Sequence, residues 1–424
     1  MSEPLDDKLM KCIRCGFCLE ACPTFKLTGM ETRGPRGRVY IVRSWREGVI
    51  PLDEDAVEAL DSCLGCRACE TACPSGVEFG SILETARVRI QDMKLRPKSE
   101  TFARTQLLAT LTNPGRLAAS LKVGGVLGML TGGKMPGMAS KLLSGTAEAA
   151  ASLPVAEGSA SVHDLPELSP AASPRRYSVG ILAGCVMRVL FGKTNAATVR
   201  VLQANGCDVI APKAAGCCGA LHVHSGFHDE ALARARAMID AFEPHIDSLD
   251  ALVVNSAGCG STMKEYGKLL ADDPAYKERA ERFAAKVKDV CEFLASIEIV
   301  PPEGTIEATA TYHDACHLAH GQQIRAEPRE LLARIPGLKL VELDESDTCC
   351  GSAGIYNITE PGYARRLLQR KIENIRATGA TIVVTGNPGC LAWIRQGSQE
   401  SKLRLRICHP VELLDEAYST RANR

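Results

Sequence analysis

Eight cysteines near the start of the chain fall into two groups of identical spacing. The first is Cys12-x2-Cys15-x2-Cys18-x3-Cys22 followed by Pro23, and the second is Cys63-x2-Cys66-x2-Cys69-x3-Cys73 followed by Pro74. A [4Fe–4S] cubane takes four thiolates. Two-residue spacing lets three successive cysteines wrap one loop around a cluster, with backbone N–H groups facing its sulfurs. The fourth cysteine, ahead of proline, points away and ligates the other cluster. The pattern therefore predicts Cys12, Cys15, Cys18 and Cys73 on one cluster, and Cys63, Cys66, Cys69 and Cys22 on a second. Zinc is the rival, but zinc sites use separated cysteine pairs rather than three cysteines at x2 spacing before Cys-Pro. Arg14 and Arg67 lie inside the motifs, and Arg33, Arg36 and Arg38 follow the first. They either offset cluster charge or face solvent and partners.

Eight further cysteines form a second constellation. Cys185, the pair Cys217-Cys218 and Cys259 recur as Cys316, the pair Cys349-Cys350 and Cys390, at offsets of 131, 132 and 131 residues. Three markers in register indicate a duplicated domain. The two N-terminal groups also repeat, at an offset of 51. Each adjacent pair precedes a glycine, which packs a core poorly but suits a metal or redox site. Each four-cysteine set is thus a candidate additional site. The residues leave open a cluster, zinc, a redox-active thiol pair or structural cysteines, with a cluster favoured over zinc. His222, His224 and His228 follow the first pair, and His313, His317 and His320 surround Cys316. Histidines beside thiolates ligate or support the ligands. His228 and His320 read as structural, and His317 is the first to test. Cys207, Cys291 and Cys408 fall outside the repeat and read as small buried hydrophobes.

The elements that must position these residues follow from periodicity. RGRVYIVRSWREG (36–48), DEDAVEALDS (53–62) and SILETARVRIQDMKL (81–95) carry helical patterns. The 40 residues between Cys22 and Cys63 are too long for a compact ferredoxin hairpin, so a mostly helical two-cluster domain is expected over 1–100. Residues 101–145 read as a helical extension with glycine breaks. Residues 146–176, rich in Ala, Ser and Pro, read as a linker. From Tyr177 onward, apolar strands such as SVGIL, ALVV and TIVV alternate with helices such as HDEALARARAMIDAF. This predicts α/β units with parallel pairing, one over 177–300 and one over 305–420. Their final cysteines follow strands, where such sheets gather their sites. The expected fold is an α-helical ferredoxin domain with two [4Fe–4S] motifs, followed by two repeated α/β cysteine-rich domains.

Composition narrows the function. Lys plus Arg and Asp plus Glu both total 50, so no global field attracts nucleic acid or an anionic membrane. No apolar run reaches the ~18 residues of a spanning helix. MSEPLDDKLMKC lacks a leader pattern, so a cytoplasmic protein is expected, with a peripheral contact on the inner membrane through an amphipathic helix in 101–150 as a variant. Nineteen cysteines in such a chain mean metal or redox chemistry rather than disulfides. No flavin or nicotinamide fingerprint is present, because the glycines of VGGVLG open no βαβ unit. Two-electron chemistry on an organic substrate belongs to a cofactor, so a flavoprotein partner is expected.

The two x2-x2-x3 motifs followed by two Cys…Cys-Cys-Gly…Cys units resemble the heterodisulfide reductase-related iron–sulfur proteins. GPRGRVYIVR, NAATVRVL, AGCCGA, SAGCGSTMKEYG, CCGSAGIYNIT and HPVELLDEA narrow the resemblance to the iron–sulfur subunits of glycolate oxidase (glycolate dehydrogenase). It covers nearly the whole chain apart from the linker and the 101–150 stretch. It implies an electron-transfer subunit that takes electrons from an FAD-containing partner oxidising glycolate to glyoxylate. It passes them singly toward a quinone-type acceptor and does not act on the organic substrate alone. Subunits of D-lactate or anaerobic glycerol-3-phosphate dehydrogenases are the alternative, because organic specificity lies in the partner. The fullest form of the second motif ends in Cys-x2-Cys, and Ser256 and Asn387 replace the first of those cysteines. In the heterodisulfide reductases the five-cysteine set resembles a site for a non-cubane cluster that performs disulfide chemistry. Its loss argues against a third reading, a catalytic disulfide reductase.

Overall fold

The computed structural model describes residues 5–130 and 161–419. The end of the expected helical extension (131–145) and the start of the expected linker (146–160) lie outside the described residues. Seven helices carry the first two cysteine groups: α1 (Leu5–Met10), α2 (Phe17–Glu20), α3 (Pro23–Thr28), α4 (Pro35–Arg46), α5 (Glu54–Asp61), α6 (Ala68–Thr71) and α7 (Phe79–Asp92). Pro23 and Pro35 open their helices, where a missing N–H costs nothing. Asp53 caps α5 by accepting from the Ala56 N–H at 3.0 Å. The core is a helical seam of Val42, Leu60, Ile82, Leu83, Ala86 and Ile90, all buried. Two more helices follow, α8 (Lys98–Leu111) and α9 (Pro114–Leu130). Buried charge anchors α8, because Arg96 donates to both Asp61 oxygens (2.7 and 2.8 Å) and Arg104 adds a third bond at 3.3 Å. Helix α9 rests on the first repeat, with Leu117 and Ala118 against Val189.

The duplicated region forms two sheets of the same topology. The first contains β1 (Leu168–Ser169), β2 (Tyr177–Ile181), β3 (Cys207–Ile210), β4 (Ala251–Val254) and β5 (Val287–Asp289), ordered β1-β3-β2-β4-β5. The second contains β6 (Ala308–Tyr312), β7 (Leu338–Val341), β8 (Ile382–Val384) and β9 (Arg406–Cys408), ordered β7-β6-β8-β9. All pairings are parallel except β1 with β3. Strands β4 and β8 are buried throughout, as parallel strands covered by helices on both faces must be. Leu168–Ser169 lies inside the stretch read as a linker, yet it pairs with the edge of the first sheet. Asp208 on β3 accepts from the Ala171 N–H at 2.9 Å and holds this segment down.

The repeats pack reciprocally. Helix Gly192–Ala204 of the first lies on helix Pro410–Ser419, which closes the second. Helix Val290–Ala295, which closes the first, lies on Ala326–Ala333 of the second. This exchange of equivalent contacts is an approximate two-fold, the arrangement of an isologous dimer within one chain. Arg200 grips Asp415 with two bonds of 2.8 and 2.6 Å. Val179, Ile181 and Val253 share one buried core with Tyr312, Ile382 and Val384. Cys207, Cys291 and Cys408 sit in that core. Among the described residues no helix is long and apolar enough to cross a membrane.

Candidate metal centres

Two residues of each N-terminal motif take left-handed backbone: Arg14 (φ 60°) and Gly16 (φ 93°) in the first, Gly65 (φ 64°) and Arg67 (φ 62°) in the second. These are matched positions at the offset of 51. The reversals curl each loop around a hollow and turn N–H groups toward sulfur. Gly65 N–H donates to Cys63 Sγ and Val77 N–H to Cys73 Sγ, both at 3.4 Å. One hollow, of about 430 Å³, is lined by Cys12, Cys15, Cys18, Cys69 and Cys73. The other, of about 300 Å³, is lined by Cys22, Cys63, Cys66 and Cys69. The structure thus brings Cys73 to the first trio and Cys22 to the second, with Cys69 in the wall between. Burial pushes the Cys18 thiol up to about 11, and the Cys12 and Cys73 sulfurs add to this. Burial likewise raises Cys69, with Cys66, Cys63 and Cys22 contributing. Cys15 is exposed, whereas the Cys22, Cys63, Cys66, Cys69 set is buried. No disulfide joins any described cysteine. Free thiols converging on such a cradle fit a [4Fe–4S] cluster, whose binding displaces their protons.

The five arginines divide. Arg38 is 1% exposed and lines the second hollow. It donates to the Ala59 carbonyl (2.7 Å) and to the Thr24 and Ser62 hydroxyls (both 3.1 Å). Arg14 and Arg36 line the first hollow. Arg14 lies over the Tyr40 ring at 5.0 Å, and Arg36 pairs with Glu31 at 2.7 Å. Arg33 pairs with Glu58. Arg67 pairs with Glu70 (2.8 Å) and with Glu265 of the first repeat (2.9 Å).

In each repeat the cysteines stand beyond the C-terminal ends of three strands. Cys185 follows β2, the Cys217-Cys218 pair follows β3, and Cys259 lies in the first turn of helix Ala257–Lys264 after β4. Cys316, the Cys349-Cys350 pair and Cys390 occupy the matching places after β6, β7 and β8. The glycine after each pair is left-handed, at φ 83° for Gly219 and 94° for Gly351. A Cβ on Gly351 would lie 2.6 Å from the Ala364 carbonyl oxygen, which is why glycine closes the motif. Gly219 N–H donates to Cys217 Sγ at 3.4 Å, and Gly351 N–H to Cys349 Sγ at 3.5 Å. Hydrogen bonds from Cys185 and Cys218 hold Cys217 well below the usual thiol range. Cys349 and then His317 do the same for Cys316.

The second repeat adds imidazoles. His313, Cys350 and Cys390 place one ligand atom each within 4.8 Å of one another. Both His313 nitrogens are buried without a protein partner. His317 Nδ1 lies 3.8 Å from Cys316 Sγ. The first repeat has Leu182 and Val186 at these positions, so the twin sets differ chemically. Thiols with orphaned imidazole nitrogen fit a soft-ligand centre of iron–sulfur or zinc type. Asn387, at the replaced cysteine, donates to Cys390 Sγ at 3.6 Å and accepts from the Gly258 N–H of the other repeat at 3.3 Å. Ser256 hydrogen-bonds Cys259. His228 is exposed at a helix start. His320 is structural, because its Nδ1 accepts from Arg325 Nη2 (3.0 Å) and its Nε2–H donates to the Asp347 carbonyl (3.1 Å).

Seven of the eight repeat cysteines meet at one cavity of about 1660 Å³, part of it open to solvent. Its lining includes Cys185, Cys217, Cys218 and Cys259, and also Cys316, Cys349 and Cys390 with Cys63 of the helical domain. Cys66 shares a buried cluster with Cys316 and Cys349. Arg87 seals the junction by donating to the carbonyls of Cys63 (2.7 Å) and His224 (2.8 Å). Neither this convergence nor the pairing of Glu84 with His224 at 3.0 Å leaves a local signal in the sequence.

Comparison with known proteins agrees with this geometry. Residues 8–77 match the family profile of the 4Fe-4S dicluster domain, and residues 179–264 and 310–395 each match that of the Cysteine-rich domain. The chain is 38% identical to the probable glycolate oxidase iron-sulfur subunit of Bacillus subtilis (strain 168), covering 98% of this chain and 95% of the relative. It is 32% identical to the glycolate oxidase iron-sulfur subunit of Escherichia coli (strain K12), covering 97% and 95%. It is 30% identical to Lactate utilization protein A of an Exiguobacterium species, covering 56% of this chain and 97% of that protein.

Proposed function

We propose, from the premise that this chain belongs to the family of glycolate oxidase iron–sulfur subunits, that it carries electrons from an FAD-containing partner, which oxidises glycolate to glyoxylate, toward a quinone-type acceptor. The observation that carries this reading is the pair of cysteine-lined hollows sharing Cys69, the second of which adjoins the cavity of the repeats. Cys12, Cys15, Cys18 and Cys73 would hold one [4Fe–4S] cluster, and Cys63, Cys66, Cys69 and Cys22 the other. Such clusters supply reversible one-electron chemistry at potentials set by hydrogen bonds, charge and exposure. The Gly65 and Val77 N–H groups and the buried Arg38 place positive ends near the sulfurs and favour added negative charge. Cys185, Cys217, Cys218 and Cys259, with Cys316, Cys349, Cys350 and Cys390, would hold further centres, the second with His313 beside it.

The exposed Cys15 marks the end at which a protein partner reaches the path. Ile13 and Phe17 flank it in the sequence at 69% and 67% exposure, and the exposed Tyr40 ring lies under Arg14. Such an apolar patch fits a protein interface, and we assign it to the flavoprotein. The complex would work in the cytoplasm, at the inner membrane where its acceptor is lipid-soluble. The likeness to Lactate utilization protein A supports a second reading, with lactate as the partner's substrate. One experiment decides. The chain is co-purified with its flavoprotein and mixed anaerobically with glycolate, D-lactate or glycerol 3-phosphate. Glycolate should bleach the cluster absorbance. Bleaching by another acid alone would replace the substrate, and bleaching by none would overturn the relay.

A further inference from the structure

We propose that the cavity between the two repeats binds the headgroup of a lipid-soluble quinone, which is reduced there to the quinol. This rests on the electron-relay reading and locates its acceptor. The path has two ends of different character. Cys15 is at the surface, within reach of a protein. The cysteines of the repeats are mostly buried, and seven of the eight line the cavity. The cavity, part of it open to solvent, reaches beyond the cysteines to Leu111, Ile358 and Trp393.

Its walls specify the ligand class. Leu64, Leu190, Ile355 and Ile358 make them apolar. Trp393 also lines the cavity, is 2% exposed, and has an indole N–H with no partner in the protein. His224 and His317 face each other at 4.8 Å between ring centroids, and the Nε2 of each is buried and unpartnered. An apolar wall with a few converging, unsatisfied polar atoms is the composition of a small-molecule site. The cations of the lining are already engaged. Arg87 donates to four backbone carbonyls, and Arg104 pairs with Asp61 and Glu100. A carboxylate such as glycolate therefore finds no free counter-charge. A quinone needs none, and offers two carbonyl oxygens on an apolar ring. Trp393 can donate to one. His224, with Nδ1 bound to Glu84 at 3.0 Å, keeps Nε2 free to accept from a quinol hydroxyl.

The rim accounts for the tail. Leu111, Val186 and Leu190 are half-buried at the edge, and they pack with Leu117 and Ala118 of α9. An isoprenoid chain could lie along this apolar edge. In the reaction, each quinone takes two electrons, delivered singly along the path, and two protons from water. Both C=O bonds become C–OH, and two one-electron centres are oxidised.

The test uses the full chain with its clusters and menadione, a naphthoquinone without a tail. Equilibrium dialysis of the oxidised protein should show saturable binding of one menadione per chain. Trp393→Phe should weaken it by about tenfold, the scale of one lost buried hydrogen bond. Ala392→Trp, which fills the cavity, should abolish it with iron content unchanged. Protein reduced beforehand should be reoxidised by menadione at a saturating rate in the wild type and slowly in both variants. Ferricyanide, which can take electrons at the exposed Cys15 end, should reoxidise all three equally. Non-saturable binding, or variants that bind as the wild type does, would overturn the site. If ferricyanide also fails to reoxidise the wild type, the relay reading itself falls.

Discussion

Asp61 is the residue on which the helical domain closes. Burial pushes its carboxyl up, but Arg96, Arg104 and Arg87 outweigh this and hold it below the ordinary 3.8. A carboxylate depressed in the folded state stabilises the protein above its unfolded pKa, and that contribution is lost as pH falls through the folded value. Asp61→Asn leaves buried guanidiniums unpaired and should cost about 3–5 kcal/mol at pH 7 in urea unfolding. The gap to wild type should narrow below about pH 4. At this scale the N-terminal ligand candidates were legible, because a cubane dictates spacing within one loop. His313 was named beside Cys316, but its approach to Cys350 and Cys390 depends on β6 lying beside β7 and β8. Its twin position holds Leu182, so the repeat gave no hint of a shared role.

Among elements, the helical domain and the first repeat approach each other tightly at Gly226. Its φ is 82°, and an added Cβ would sit 2.4 Å from the Arg87 carbonyl oxygen. Gly226→Ala should therefore destabilise the docking of α7 by about 1–3 kcal/mol, read as a lowered Tm and faster proteolysis between the two units. Gly362→Ala has open space around it in a helical first turn and should leave Tm unchanged or slightly raised. Strands β2, β4 and β8 were legible because buried parallel strands are short apolar runs. Strands β5 (VKD) and β9 (RIC) were not. Each has three residues and carries charge, and its strand state comes from a neighbouring backbone rather than from its own pattern. Leu168–Ser169 is the same case, a two-residue strand inside a stretch whose composition reads as a linker.

For the whole molecule, the duplication could be counted along the chain, but its spatial consequence could not. The offsets near 131 show two units; only the reciprocal helix packing turns both cysteine sets toward one cavity under Cys63 and Cys66. That convergence sets cysteines all the way from the exposed Cys15 to the cavity of the repeats. The account stands or falls on whether the path is built of clusters. Iron, acid-labile sulfide and zinc should be assayed per chain on anaerobically purified protein, wild type and Cys15→Ser/Cys18→Ser. The account predicts at least about eight irons with matching sulfide in the wild type and about four fewer in the variant, with about twelve to sixteen in the wild type if the repeats also hold clusters. Fewer than about four irons, with zinc in their place, would contradict it.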